Sequence, residues 1–337
     1  MSDTQKINRR SILGGSAALA TAMATGGMTA AASGLVLGSA TPAVAQETAK
    51  PAGMMRYQIG DMTCFALNDG VANFPLGEGF VTNAPLADVQ AELRRALMAP
   101  DTMSIPFTAM AVQTGGRTVV IDTGNGPAAG GTRGTMFANM EAAGLDRSSV
   151  DTVIISHFHP DHISGLKDEF GEKAFPNAEV KVPEAEMAFW MDDGEASRAP
   201  DAMKARFEAV RSAFEPLGDA VATYAPGAEL APGITARAAY GHTPGHTVFR
   251  LSSGSEQMMV LGDTTNHPAL FLRNPEWAVR FDMDAQAAAE TRVGLLDEVA
   301  SDDIMIAGYH FPFPATGHVV KDGDGFQLAL VAWQPQL

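Results

Sequence analysis

Residues 151–166 read DTVIISHFHPDHISGL. A β-branched run stops on His157, His159, Asp161 and His162, and three of the eight histidines in this 337-residue chain fall inside that one stretch. His157 and His159 are two apart, so on extended backbone they face the same way. Pro160 then turns the chain, and Asp161 and His162 follow. A catalytic zinc uses about three protein ligands and keeps one position open for water. Three imidazoles and a carboxylate are too many for one such ion. They suit two ions held about 3.5–4 Å apart.

A second ion needs ligands from elsewhere. All eight histidines, at 157, 159, 162, 242, 246, 267, 310 and 318, follow predicted strand ends, and none occurs before residue 157. Randomly scattered surface histidines do not collect that way. A loop at a strand end can aim side chains at one point while the sheet holds their bases. His246, Asp263 and His310 each sit in such a glycine-flanked loop. Asp263 is suited to bridge, since an ionised carboxylate offers two oxygens. Imidazole and carboxylate donors favour zinc, with manganese, iron or cobalt compatible.

The remaining pattern is α/β with helices outside sheets. Alternation predicts a hairpin over 55–67, closed by Asn68-Asp69-Gly70, and a second over 107–122. Single strands are predicted at 152–156, 179–182, 234–239, 304–307 and 326–333, and a hairpin at 248–261. Helices fit 86–98, 134–143, 183–191, 200–214 and 284–300, two of them starting on proline. Residues 72–86 read as a loop whose Phe74 and Phe80 are placed to cover a site.

The set His157-x-His159-x-Asp161-His162, Gly241-His242-Thr243-Pro244-Gly245-His246, Leu261-Gly262-Asp263 and His310 resembles the metallo-β-lactamase-fold hydrolases. The runs Phe175-Pro176-Asn177-Ala178, Ala188-Phe189-Trp190 and His310-Phe311-Pro312-Phe313-Pro314 to Gly317-His318 are similar to the exported branch of methyl parathion hydrolase and related lactonases. N-acyl homoserine lactone lactonases share the ligand set. The resemblance implies an αββα sandwich, its metal site at one edge between the two sheets. It implies His157, His159 and His246 on one metal, Asp161, His162 and His310 on the other, and Asp263 bridging. Asp122 would support the histidine loop from behind. His242 and His318 are expected to be structural.

The activity so implied is opening of lactone rings, foremost those of N-acyl homoserine lactones (quorum quenching), by a metal-bridging hydroxide. Asp161 and Asp263 are the catalytic carboxylates, and the cofactors are two divalent ions, zinc first. Phosphotriester or aryl ester hydrolysis is the alternative, and a periplasmic zinc-binding protein without turnover is the non-enzymatic one. Asn266 stands where the homoserine lactonases often carry a tyrosine. It is a candidate substrate contact together with His267, Trp190, Phe158 and Phe311. Aromatics of the 46-residue insert between Asp263 and His310 are candidates for an apolar wall. Asp263 argues against zinc β-lactamases, which generally lack the bridging aspartate. Only 27 residues follow His310, too few for the helical domain of glyoxalase II enzymes.

The N-terminus reads as an address. Lys6, Arg9 and Arg10 precede an uncharged small-residue stretch from Ser11 to Gln46, ending in Ala43-Val44-Ala45. That is a secretory pattern, and Arg9-Arg10 before Ser11-Ile12-Leu13 resembles a twin-arginine signal. Glycine, serine and threonine make the stretch a poor membrane anchor. The expectation is a signal over 1–45, one hydrolase domain over 46–337, twin-arginine export machinery as a partner, and a periplasmic or secreted product, with a homodimer compatible. Without the signal, 20 basic and 38 acidic residues leave a net charge of −18, which repels nucleic acid. The single cysteine, Cys64, allows no internal disulfide and fits a buried position.

Overall fold

The computed structural model describes residues 53–331. The predicted export signal, 1–45, lies outside them. Two seven-stranded sheets carry the chain, each in sequence order. The first runs β1 (Met54–Ile59), β2 (Met62–Pro75), β3 (Thr102–Thr114), β4 (Arg117–Ile121), β5 (Thr152–Ile154), β6 (Glu179–Pro183) and β7 (Val221–Tyr224). The second holds β8 (Glu229–Ala231), β9 (Ile234–Ala238), β10 (Thr247–Ser253), β11 (Glu256–Val260), β12 (Met305–Ala307), β13 (Thr316–Asp322) and β14 (Gly325–Leu330). Hairpins make the outer pairs antiparallel. From β4 to β7 the pairing is parallel, and so is β11 with β12. The helices are α1 (Leu86–Arg95), α2 (Met136–Ala142), α3 (Pro160–Ile163), α4 (Glu184–Trp190), α5 (Asp193–Arg198), α6 (Asp201–Phe214), α7 (Pro268–Phe271) and α8 (Ala285–Ser301).

The strand period of two explains the layering. Along β3, Ile105, Phe107, Ala109 and Ala111 point to one apolar cluster, while Met110 and Val112 point to another. The second cluster draws on both sheets: Ile59, Cys64, Val119 and Ile154 from one, Ile234, Phe249, Leu251 and Met258 from the other. It is the layer between the sheets. The first cluster covers the outer face of sheet one with Val89 and Leu93 of α1, Met140 of α2, Trp190 of α4 and Phe207 of α6. A third joins Leu295, Leu296 and Val299 of α8 to Val248, Met259 and Ile306 on the outer face of sheet two. The result is the four-layer αββα sandwich. Cys64 is wholly buried between the sheets, where burial pushes its thiol up to about 12.

The expected outline changes at β2, and β13, β7, β8 and α5 are added to it. β2 does not stop at Asn68-Asp69-Gly70. A bulge there lets it continue to Pro75, paired with β3 as far as Thr102, so Phe74 is on a strand. Strand β13 follows the His310 loop directly, masked in the sequence by Thr316-Gly317-His318. Strands β7 and β8 are short edges, of four and three residues, below what alternation can signal. The six-residue α5 is likewise too short to show a period.

The sandwich matters for function because the parallel strands all end on one side. Loops leave that edge after β4 (Asp122), β5 (His157–His162), β9 (His242), β11 (Asp263) and β12 (His310). Backbone bonds lace them together: Thr247 N–H donates to Ser156 across the sheets at 3.1 Å, Asp122 to Ile154 at 2.8 Å, and Thr108 to Tyr309 at 2.9 Å. Phe249 is fully buried between the sheets. Phe249→Ala is expected to cost about 3–5 kcal/mol, read as a lower urea midpoint, and an unchanged midpoint would contradict the packing described.

Candidate metal centre and its cleft

His157, His159, His242 and Asp263 bring one donor atom each within 4.8 Å of one another, and so do Asp161, His162, Asp263 and His310. Asp263 belongs to both groups. Its Oδ2 stands 3.0 Å from His310 Nε2 and 3.2 Å from His242 Nε2, and its Oδ1 3.1 Å from His162 Nε2. Asp161 Oδ2 is 3.5 Å from His310 Nε2 and 3.6 Å from His162 Nε2. His242 Nε2 and His159 Nδ1 approach to 2.9 Å.

This is a crowd of lone pairs, and protons alone do not satisfy it. His157 Nε2, His162 Nε2 and Asp263 Oδ1 are buried with no hydrogen-bond partner among the described residues, a rare condition in native interiors. Burial, with neighbouring imidazoles, pushes His157 and His159 well below the usual histidine range. Burial works against charge at Asp263, yet His310 and His162 hold its carboxyl well below the usual range. Burial works against charge at His162, His242 and His310 as well, but Asp263 holds all three above the usual histidine range. Imidazoles gathered round an ionised carboxylate are the donor set a divalent cation takes by displacing their protons. The residues fit a divalent metal site.

Here the structure corrects the histidine chosen in the GHTPGH turn. His246 does not face the cluster. Its Nδ1–H donates to the Ala239 carbonyl at 3.0 Å, and its Nε2 accepts the Asp263 backbone N–H at 2.9 Å, so both ring nitrogens are spent on backbone. His242, expected to be structural, takes the inward position. The turn Gly241–Gly245 is what divides the two: Asp284 N–H bonds back to Gly241, and Met283 N–H to His242 itself, fixing the ring of His242 over the floor.

His162, His242 and His310 are each oriented from behind. Asp122 has φ 58°, a left-handed conformation that aspartate tolerates. It bonds His162 Nδ1 at 2.8 Å, Ser156 N–H at 2.7 Å and Ser156 Oγ at 2.8 Å. His310 Nδ1–H donates to the Pro106 carbonyl at 3.0 Å. Tyr309 stacks on His162, ring centroids 3.9 Å apart, and its hydroxyl donates to the Asp161 carbonyl.

Three supports carried no sequence signal. Asp282 Oδ1 accepts from His242 Nδ1 at 2.9 Å. Arg292 on α8, 1% exposed, donates to the Thr264 carbonyl at 2.7 Å, to Pro275 at 2.8 Å and to Trp277, and lies 3.4 Å from Asp282 Oδ2. One guanidinium thus ties the Asp263 loop to the carboxylate that orients His242. Glu186, 0% exposed, accepts from Phe158 N–H at 2.9 Å, Gly245 N–H at 2.7 Å and Trp190 Nε1 at 2.9 Å. It clamps the two histidine loops together.

A cleft of about 360 Å³ opens above the floor. Ala72, Phe74, Ile105, Phe107 and Phe281 make its apolar walls, and Asn125, Arg133, Arg206 and Asn266 its polar ones. Asn266, a candidate substrate contact, lines the cleft. Its carboxamide oxygen accepts His267 N–H at 2.9 Å, which leaves its NH2 as the donor for a ligand. His267 is instead the cap of α7, its Nδ1 accepting Ala269 N–H at 3.2 Å. Trp190, Phe158 and Phe311 do not line the cleft either. All three are buried to 1% or less: Trp190 packs on Phe207, Phe158 on Phe214 and Phe311 in the α8 layer. For Phe158 and Phe311 adjacency to a ligand misled, since neighbours on a strand end point to opposite faces. His318, on β13, sits 2.9 Å from Asp303.

The two histidines of the turn separate in a metal assay. His242→Asn is expected to lose at least half of the bound metal by mass spectrometry. His246→Gln, whose amide can replace both backbone bonds, is expected to keep it, and the opposite order would refute the assignment. Glu186→Gln keeps the volume but cannot accept all three N–H groups. A stability loss of about 1–3 kcal/mol is expected for the unpaired donor, and an unchanged melting temperature would show the clamp to be idle.

The sequence matches the family model "Metallo-beta-lactamase superfamily" over residues 108–310, the arc from β3 to the last inward histidine. No curated protein sequence matches it. Among solved structures the chain is similar to the hydrolase AbOPH of the beta lactamase superfamily, at 29% identity and TM-score 0.79, over 85% of this chain and 99% of that one. AidC, a dizinc quorum-quenching lactonase solved with the product N-hexanoyl-L-homoserine, aligns at 24% identity and TM-score 0.78, over 84% and 98% of the two chains. An N-acyl homoserine lactone hydrolase with the same product at its catalytic metal centre aligns at 15% identity and TM-score 0.53, over 77% and 100%. At these identities the last two likenesses speak to fold. With the family model spanning every loop that feeds the centre, the chain belongs to the metallo-β-lactamase superfamily of hydrolases and carries a divalent metal site of that family's histidine and aspartate type.

Proposed function

We propose that this chain is an exported dizinc hydrolase that opens lactone rings, with N-acyl homoserine lactones the first substrates to test. The observation that carries the reading is Asp263, shared by two donor groups at the floor of an apolar-walled cleft. His157, His159 and His242 would hold one ion, and Asp161, His162 and His310 the other. When bound, such a pair lowers the pKa of a water towards neutrality and polarises the carbonyl oxygen.

The chain's own residues do the rest. Asp122, Asp282 and the Pro106 carbonyl hold the imidazoles in register, so that little reorganisation accompanies the reaction. Asp161 is the inward carboxylate most open to the cleft, its side chain 23% exposed. It is placed to return a proton to the departing alkoxide. A lactone suits this floor because its leaving oxygen stays tethered near Asp161. Asn266 offers its NH2 to the substrate carbonyl, where lactonases often use a tyrosine. Phe74, Phe107 and Phe281 would take an acyl chain.

Phosphotriester hydrolysis, of the methyl parathion kind, is the second reading, since the same floor suits in-line displacement. The metal-loaded protein should be given short- and long-chain homoserine lactones, dihydrocoumarin, aryl esters and methyl parathion. Lactones are expected to have the highest kcat/KM. Phosphotriesters turning over far faster than every lactone would replace the first reading with the second. Asp263→Ala is expected to lose bound metal and at least 100-fold in rate, the scale of a lost charge-stabilising group. Full activity in that variant would end the two-ion account, and bound metal with no turnover of any substrate would favour a zinc-binding protein.

A further inference from the structure

We propose that the physiological substrate carries a negative charge remote from the bond that is cut, and that Arg133, Arg206 and Arg280 form the collar that selects it. The inference rests on the hydrolase reading above but not on its choice of the uncharged N-acyl homoserine lactones, and points to an anionic class of ester or lactone.

The charge balance makes the collar unusual. Residues 46–337 hold 20 bases against 38 acids, so the protein's overall field repels anions. Yet three guanidinium groups gather at one cleft. Arg133 and Arg206 line it, and Arg280 sits over its walls, 5.5 Å from the Phe74 ring centre and 5.0 Å from that of Phe281. The carboxylates lining that cleft are Asp161 and Asp263, and both belong to the metal groups. None of the three arginines has a carboxylate within 4.0 Å among the described residues, although Arg198, Arg211, Arg237, Arg250 and Arg273 each do. A guanidinium is planar, always charged and matched to carboxylate or phosphate oxygens.

The backbone places each arginine firmly. Arg133 is bridged to Gly70 at the bulge of β2. Gly70 has φ 102°, and a Cβ there would stand 1.8 Å from the Thr132 carbonyl oxygen, so only glycine lets the 130–134 loop lie this close. Arg280 N–H donates to Phe80 at 3.0 Å, and Thr82 N–H to Ala278 at 2.8 Å, which ties the insert to the end of β2. Arg206 is carried on α6, next to the Asp161-bearing turn. The collar is therefore built from three separate parts of the chain around one apolar wall. An amphiphile with an ester or lactone at one end and a carboxylate or phosphate further out fits that order of walls.

The test uses the metal-loaded protein and two 4-nitrophenyl esters that share a leaving group, the butyrate and the hemiglutarate. At low salt the anionic hemiglutarate is expected to be favoured at least tenfold in kcat/KM. That ratio should shrink in 0.5 M salt, where screening is strong, and fall at least fivefold in the double variant R133Q/R206Q. A neutral ester hydrolysed as well as the anionic one, or a ratio untouched by the double variant, overturns the collar while leaving the hydrolase reading intact. If neither ester is cut, binding decides. Isothermal titration of acetate, glutarate and suberate should then show a dicarboxylate binding at least fivefold tighter than acetate, an advantage lost in the double variant. Equal affinities for all three would overturn the proposal.

Discussion

Six buried or half-buried donors and one shared carboxylate cannot point at the same dry volume unless cations join them. Lone pairs that converge without protons between them repel, and protons alone meet this unevenly: burial and the other rings hold His157 and His159 down, while Asp263 overrides burial at His162 and His310. The rest of the molecule is arranged around that constraint. The parallel strands end together so that their loops can reach one point, and the supporting groups exist because a ligand that turns away from an ion forfeits most of its binding. Asp122 behind His162, Asp282 behind His242 and the Pro106 carbonyl behind His310 solve the same problem with different acceptors.

The supports are themselves costly, which explains their connectivity. A buried carboxylate such as Glu186 is pushed up by burial and drawn back by its hydrogen bonds to Thr243, Gly245, Phe158 and Trp190. It survives because it is saturated with donors. Arg292 is the mirror case, a buried cation whose donors are met by carbonyls and by Asp282. Each of these groups links at least two site-bearing segments, so their burial is repaid in the fixed spacing of the loops. A loop set held this way can be precise without being part of a sheet.

The legible and illegible parts of the sequence divide along the same line. Donor types and strand-end placement read directly from HFHPDH, because period-two geometry and metal chemistry act over a few residues. The GHTPGH turn defeated that reading, since two histidines four apart in a tight turn are chemically alike. Only the partners of each ring, Ala239 and Asp263 for one and Asp282 for the other, tell them apart. Those partners are as much as 40 residues away. Phe158 and Phe311 failed for a related reason: sequence adjacency to a ligand says nothing about which face a side chain takes. Strand β13 was hidden because Gly317 and His318 interrupt its own alternation.

Chemistry and selectivity come from different parts of this fold. The floor draws on five loops locked by backbone and buried charge, which leaves little freedom for change. The walls draw on the far end of the β2–β3 hairpin, the 130–134 loop, α6 and the 275–282 insert. Phe74, Ile105 and Phe107 can reach the cleft because the bulge at Asn68-Asp69-Gly70 lets β2 run on past the body of the sheet instead of ending in a turn. Asp69, buried at that bulge, accepts from Asn125 and Met136 backbone N–H groups at 2.6 and 2.9 Å. The same irregularity thus fixes the loop after β4, beside Asp122, and extends the apolar wall. A change of substrate in this architecture can proceed through side chains on that extension and on the insert without disturbing a single inward donor, whereas a change at the bulge would move floor and wall together.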